Sequence, residues 1–135
     1  MKATGRYPHN LTYNTMRLWK YSGTYLVLTG ILHVAVAGIL YKEPLLEIVK
    51  NGLINGVKEN TPQDTAFWFL VCGLIIILFG MTLQHYLRKT HKPAPKFIGY
   101  FLLVFSLLGG ITVPVSGFWL FVPQALIIIL AKERR

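Results

Sequence analysis

The sequence predicts an all-α integral membrane protein: an antiparallel four-helix bundle, with a short amphipathic interfacial helix between spans one and two. The first observation is composition, because 53% of the 135 residues are apolar and only 14% are charged, against about 25% charged in ordinary soluble domains. The second is that all five carboxylates lie outside four long apolar stretches. The third is length, since each stretch approaches the ~17–25 residues that a helix needs to cross a hydrocarbon core of ~30 Å. The four predicted spans are residues 21–41, 65–87, 97–113 and 115–131.

The N-terminal segment, residues 1–20, carries four basic residues and no acid, and it precedes the first apolar stretch. Within that stretch, Ala35-Val36-Ala37 resembles the cleavage site of a signal peptide. The apolar run is longer than the ~7–15 residues of a signal-peptide core. We therefore expect it to remain as the first transmembrane helix.

The connection between spans one and two, residues 42–64, has an amphipathic pattern. Pro44 suits the first turn of a helix, and an apolar residue recurs at every fourth position, while a polar row runs beside it. The apolar positions are Leu45, Val49, Leu53 and Val57, and the polar ones are Glu47, Asn51 and Asn55. This predicts a helix over residues 44–58 on the outer membrane face, with its apolar row packed on the outer ends of the spans and Glu47 and Asn51 toward water. It is either a lid over an outer pocket, flexing at Gly52 and Gly56, or an interfacial helix that fills lipid space.

The other two connections are short turns. Residues 88–96 contain Pro93 and Pro95, which forbid a continuous helix. Pro114 breaks the apolar sequence between spans three and four, and Gly117 permits an unusual backbone dihedral there.

Lysine and arginine alternate between the two sides in the way that sets membrane orientation. Residues 1–20 and 88–96 each carry four basic residues without an acid, and the tail, residues 132–135, is also basic. The connection 42–64 instead holds three lysines against four acids, and the turn around Pro114 is uncharged. Both termini and residues 88–96 are therefore predicted to be cytoplasmic. The basic residues that give the net charge of +9 flank the apolar helices, where they can bind lipid headgroups. Nucleic acid is not an expected partner.

Small and polar residues recur at helical spacing in every span, and helices in lipid pack through such residues. The predicted seams are Gly23, Gly30, His33 and Ala37; Gly73, Gly80 and Gln84; Gly99, Ser106 and Gly110; and Gly117, Gln124 and Ala131.

Polar and aromatic residues gather at the depth of the outer half of the predicted bundle. An apolar pocket with a few polar groups is typical of a small-ligand site. The residues predicted to bind a small apolar ligand are His33, Trp68, Thr112, Ser116, Trp119 and Gln124. The alternative is that the polar groups only hydrogen-bond between helices and the tryptophans only anchor at the interface.

The sequence gives little support for a cofactor site or a catalytic site. His33 and His85 differ in depth by about 15 Å, at ~1.5 Å per residue, so they do not face one haem iron. No cluster has zinc-ligand spacing, and Cys72 is the only cysteine. No acid within a span could orient His33. We expect no metal, no cofactor and no catalytic residue.

Three function classes stay open. The first is a non-enzymatic membrane protein that binds a small apolar ligand, lipid or membrane partner in its outer half. The second is a membrane enzyme that acts on a lipidic or quinone-like substrate with His33 as acid–base. The third is a structural or accessory subunit. The expected partners are membrane lipid, a small apolar ligand or another membrane protein, and a homo-oligomer is compatible with all three classes.

Several segments, taken in order, resemble a family of small bacterial four-span membrane proteins known only as a domain of unknown function. They are Leu28-Thr29-Gly30-Ile31-Leu32-His33, Asn51-Gly52 through Asn55-Gly56, Ala66-Phe67-Trp68-Phe69 with Gly73, Pro93-Ala94-Pro95, and Pro114-Val115-Ser116-Gly117-Phe118-Trp119. The chain is more loosely similar to DoxX-like four-helix membrane proteins. The resemblance implies a multi-pass protein of the bacterial inner membrane and no established activity.

Overall fold

A computed structural model describes residues 18–131, with the exception of 53, 55 and 60. Its described part is all-α, which confirms the expected class. The α-helices are α1 (Ser22–Leu40), α2 (Lys42–Lys50), α3 (Pro62–Thr90), α4 (Lys96–Thr112) and α5 (Phe121–Ile129). Two 3₁₀ helices, Trp19–Tyr21 and Gly117–Leu120, precede α1 and α5.

Two helical segments are long and apolar enough to cross a membrane: residues 19–40, which join the first 3₁₀ helix to α1, and α3. The segments that follow α3 are shorter. The predicted third span corresponds to the 17 residues of α4. The predicted fourth span is not one continuous α-helix, because α5 begins only at Phe121. Pro123 explains the interruption, since it cannot donate to the carbonyl four residues earlier and its ring would clash there.

Helix α2 lies in the predicted place but ends earlier than the sequence pattern indicated. Asn51 leaves the helical conformation and Gly52 adopts φ 84°, a left-handed geometry that commonly ends helices. Leu53 of the predicted apolar row and Asn55 of the predicted polar row lie outside the described residues. The buried side chain of α2 is Ile48, with 7% of its surface exposed, whereas Val49 is 64% exposed. The prediction that Val49 would pack inward was wrong.

The described chain divides into two compact units. The first, here called the α1–α3 unit, comprises residues 23–85. The second, here called the hairpin unit, comprises residues 86–131 together with residues 18–22.

Within the α1–α3 unit, α1 and α3 pack antiparallel along the predicted glycine seams. A Cβ added to Gly30 would lie 2.7 Å from Ile77 Cγ1 and 3.0 Å from the Gly73 carbonyl oxygen. A Cβ added to Gly80 would lie 2.6 Å from the Val27 amide nitrogen. Distances below 3.0 Å leave no room for a side chain, so glycine is what lets the two backbones approach. The buried small residues recur every seventh position: Gly23, Gly30 and Ala37 on α1, and Ala66, Gly73 and Gly80 on α3.

Within the hairpin unit, α4 and α5 pack in the same manner. A Cβ on Gly99 would meet the Ala125 carbonyl oxygen at 3.0 Å and Ile129 Cγ1 at 2.7 Å. Ser106 and Gly110, the other predicted seam residues of α4, are buried as well. Gly117 differs from the prediction, because it is exposed and an added Cβ there would meet nothing within 4 Å.

Candidate functional site

His33 lies in the α1–α3 unit, where α3 fixes the position of its imidazole ring. Its Nε2 is 3.1 Å from the main-chain oxygen of Phe69. The ring stacks on the Phe69 side chain, with centroids 4.0 Å apart and planes 13° from parallel. Because a carbonyl oxygen only accepts, Nε2 carries the hydrogen and, in the neutral ring, Nδ1 is left as an acceptor.

Gly73 and Tyr41 surround the stacked pair of His33 and Phe69. A Cβ on Gly73 would lie 3.1 Å from His33 Cδ2, so the missing side chain of Gly73 makes room for the imidazole. Tyr41 packs on Phe69, the residue on which the imidazole stacks, with ring centroids 5.2 Å apart. Neither Phe69 nor Tyr41 was among the predicted site residues, and their contacts were not foreseen.

Trp68 belongs to the same unit, but it is not the residue that packs on His33. Its ring contacts Phe67 edge to face at 5.4 Å, and 58% of its surface is exposed. The structure therefore pairs His33 with the residue that follows Trp68 along α3, and leaves the indole of Trp68 available to a partner outside the fold.

Gln84 and Thr24 form a polar contact between α1 and α3. The Gln84 side-chain oxygen accepts hydrogen bonds from the Thr24 amide at 3.0 Å and from the Thr24 hydroxyl at 3.1 Å. The Thr24 amide is in the first turn of α1, where main-chain N–H groups have no partner within the helix. Sequence reasoning identified Gln84 as a seam residue but missed Thr24, whose place in the first helical turn was the available signal.

In the hairpin unit, Trp119 shapes the turn between α4 and α5. Its indole Nε1 donates a hydrogen bond of 3.0 Å to the Pro114 carbonyl oxygen. Its ring lies over Gly110, where an added Cβ would be 2.9 Å from Cε2. Phe118 covers Gly109 in the same way and packs edge to face on Phe105, with centroids 5.2 Å apart. The Gly109-Gly110 pair thus accommodates two aromatic rings from the following segment.

The three remaining predicted site residues also lie in the hairpin unit, in different environments. The Thr112 hydroxyl donates within its own helix, 2.8 Å from the Leu108 oxygen and 3.1 Å from the Gly109 oxygen. The Ser116 hydroxyl oxygen is buried and has no hydrogen-bond partner in the described part of the chain. Gln124 lies on the buried face of α5, together with Ala125 and Ile128.

The polar groups of the two units are few, and each has a defined environment. A main-chain carbonyl, not a carboxylate, orients the His33 ring. Among residues 18–131 as described, no three His, Cys, Asp or Glu side chains are grouped so that they could hold a metal ion. The described residues thus present two half-exposed indoles, an imidazole with an acceptor nitrogen, and the buried Ser116 hydroxyl, which has no partner among them.

Comparison with known proteins gives a family but no activity. No curated protein and no solved structure matches the chain. A family model described as a family of unknown function (DUF6463) matches residues 17–135. The match begins one residue before the described part of the chain and continues to the last residue of the sequence. The chain therefore belongs to this family of unknown function.

Proposed function

We propose that the protein is a multi-pass protein of the bacterial inner membrane that binds a small apolar ligand, lipid or membrane partner in its outer half, without catalysing a reaction. In this proposal four apolar helical segments assemble as the antiparallel bundle expected from the sequence. The two termini and residues 88–96 face the cytoplasm.

The observation that carries the membrane assignment is the location of the large apolar side chains. In each of the two long segments, 19–40 and α3, only 22% of the most apolar window is buried. A core helix of a soluble protein would be mostly buried. Here small residues occupy the packed seams, and leucine, isoleucine and phenylalanine cover the exposed faces of α1, α3 and α4. That distribution fits a hydrocarbon solvent, in which close backbone packing replaces burial from water.

The ligand assignment is supported by the side chains that the fold leaves available. Trp68 in one unit and Trp119 in the other are both exposed over much of their surface. The Ser116 hydroxyl is buried and has no partner among the residues that the structure describes. A buried hydroxyl of that kind costs free energy unless some group hydrogen-bonds to it. Within the hairpin unit, a ligand or lipid with a polar head and an apolar body would hydrogen-bond to such a hydroxyl and cover exposed indole surface.

Native mass spectrometry of the gently solubilised protein tests the proposal. We expect a co-purifying small molecule or lipid on the wild-type chain, and we expect Ser116→Ala to lose it while the free energy of unfolding stays within about 1 kcal/mol of wild type. The matched control is Thr112→Val, since the Thr112 hydroxyl already bonds to its own helix. Retention of the molecule by Ser116→Ala, or a wild-type chain with nothing bound, would contradict the proposed site.

A further inference from the structure

The connection between α3 and α4 carries four basic side chains in a unit whose described residues contain no carboxylate. The four are Arg88, Lys89, Lys92 and Lys96, and all of them are exposed. Residues 86–131 contain no Asp or Glu. The next acid along the chain, Glu133, lies outside the described residues and stands among three basic residues. Cations this close along the chain repel one another, and an anion beside them relieves that repulsion.

The connection holds these side chains in a defined arrangement. His91, the residue after α3, has a left-handed φ of 54°, and its amide donates a hydrogen bond of 3.1 Å to the Leu87 oxygen. Pro93 and Pro95 restrict their own φ angles, and Ala94 between them is buried. The basic residues are therefore carried by a turn that is packed within the fold.

The electrostatics of the helices account for only part of this charge. Arg88 and Lys89 lie in the last turn of α3, where the helix dipole favours cations. Lys96 is the first residue of α4, and a positive charge is unfavourable at that end of a helix. The position of Lys96 thus has no electrostatic benefit within its own helix, and an anion outside the chain would provide one.

Exposed aromatic side chains continue from Lys96 along α4. Phe97 is 69% exposed, Tyr100 54% and Phe101 70%. Residues four apart share a helix face, so Tyr100 follows Lys96 and Phe101 follows Phe97. A small soluble anion would contact the cations and leave these rings uncovered. A phospholipid with a negative headgroup offers the anion and the apolar chains in one molecule.

We propose that residues 88–101 form a docking surface for anionic phospholipid of the cytoplasmic leaflet. The headgroup phosphate contacts the basic side chains from Arg88 to Lys96, and the acyl chains lie along the aromatic rings at the start of α4. Basic segments beside membrane spans are attracted to anionic headgroups in this way. The inference rests on the proposed membrane location, with residues 88–96 in the cytoplasm, and it adds a lipid site apart from the ligand site of the outer half.

Native mass spectrometry with defined lipids tests this inference. The solubilised protein is titrated with equal amounts of dioleoyl phosphatidylglycerol and dioleoyl phosphatidylcholine, which differ only in the headgroup. We expect the wild-type chain to bind phosphatidylglycerol at least about tenfold more tightly. The triple variant Arg88→Gln, Lys89→Gln, Lys96→Gln should reduce this preference to less than about threefold. The matched control neutralises three exposed lysines of the α1–α3 unit and should keep the wild-type preference; its changes are Lys42→Gln, Lys50→Gln and Lys58→Gln.

Three results would overturn the inference. They are a wild-type chain without a preference, a triple variant that keeps the preference, and a control variant that loses as much of it as the triple variant does. Glycerol phosphate, which carries the anion without acyl chains, should not displace the bound lipid. Displacement at equal concentration would also overturn the inference and would indicate a soluble anion as the occupant.

Single variants keep the inference testable if circular dichroism shows that the triple variant does not fold. Lys96→Gln should lower the preference about threefold and Lys96→Arg should retain it, because only the first removes the charge. An unchanged preference in Lys96→Gln would then count against the surface.

Failure of the proposed function gives different results. Loss of the expected ligand at Ser116 would leave the preference for phosphatidylglycerol intact, because Ser116 and Lys96 lie at opposite ends of α4. If the proposed membrane location is wrong, the protein will not remain with phospholipid vesicles after alkaline extraction.

Discussion

At the scale of single residues, glycines determine how closely the helices pack. A Cβ on Gly80 would meet two main-chain atoms of α1, the Val27 nitrogen at 2.6 Å and the Gly23 oxygen at 2.8 Å. Main-chain atoms cannot rotate away as a flexible side chain can. Gly38, in the same helix as Gly23, has nothing within 4 Å of an added Cβ.

This contrast predicts different effects for the same chemical change. Gly80→Ala should reduce the free energy of unfolding by about 1–3 kcal/mol, because the helices must separate to admit the methyl group. Gly38→Ala should be neutral or stabilising by up to about 1 kcal/mol, because alanine has the higher helix propensity. Unfolding titrations in mixed detergent–sodium dodecyl sulfate micelles measure both. Equal effects would show that the α1–α3 contact is not as close as described.

His33 provides the second residue-scale prediction. His33→Leu removes the hydrogen bond to the Phe69 oxygen, so we expect a loss of about 0.6 kcal/mol of unfolding free energy, and at most about 1.7 kcal/mol. The control is His85→Leu, because His85 is an exposed histidine of α3; it should change stability less. Loss of a bound molecule at unchanged stability would instead place His33 in a binding site. A Soret band in the purified protein would contradict the expectation that His33 binds no haem.

At the scale of elements, α2 shows that a repeating pattern does not decide which face is buried. The fourfold spacing of Leu45 and Val49 suggested one stripe, but the structure buries Ile48 between them. The Gln63 side chain donates a hydrogen bond to the Glu47 carboxylate and so links α2 to the first turn of α3. The attachment of α2 thus depends on Ile48 and on this link.

Truncating adjacent side chains of α2 tests that assignment. Ile48→Ala should destabilise the docked helix by about 2 kcal/mol, which corresponds to roughly 25-fold faster amide hydrogen exchange over residues 42–50 if α2 opens locally. Val49→Ala is the matched control and should change exchange little, because Val49 is already exposed. Faster exchange in Val49→Ala than in Ile48→Ala would show that Val49 is the buried residue, as the sequence pattern indicated.

At the scale of the whole molecule, charge is the property that predicts orientation. Lys58→Cys and His91→Cys, each made in a Cys72→Ser background, place a single cysteine at an exposed position. The first reports on the connection 42–64 and the second on the connection 88–96. In intact cells an impermeant maleimide should label position 58 from outside and position 91 only after permeabilisation, because residues 88–96 carry four basic residues and no acid. The reverse result would invert the topology. Labelling of both positions from one side would show that α3 does not cross the membrane, which would contradict the proposed multi-pass topology.

The sequence by itself determined the helical class and the packed faces of α1, α3 and α4. Both depend on local properties, namely apolar length and the recurrence of small residues at the helical period. Gly30, Gly73 and Gly99 were predicted to lie in seams, and the structure buries all three. The fourth segment was predicted as one helix from its apolar length alone, and Pro123 was not considered.

Only the tertiary structure decided which residues meet. That His33 stacks on Phe69 rather than on the adjacent Trp68 follows from the register and rotation of α3 against α1, and a one-residue offset in a helix turns a side chain by about 100°. The burial of Ile48 likewise follows from the direction in which Tyr41 (φ −115°, ψ 26°) starts α2. Composition and period indicated the packed faces of α1, α3 and α4. The contacts depend on how the helices are placed against one another, and that placement results from many non-local interactions that no short stretch of sequence contains.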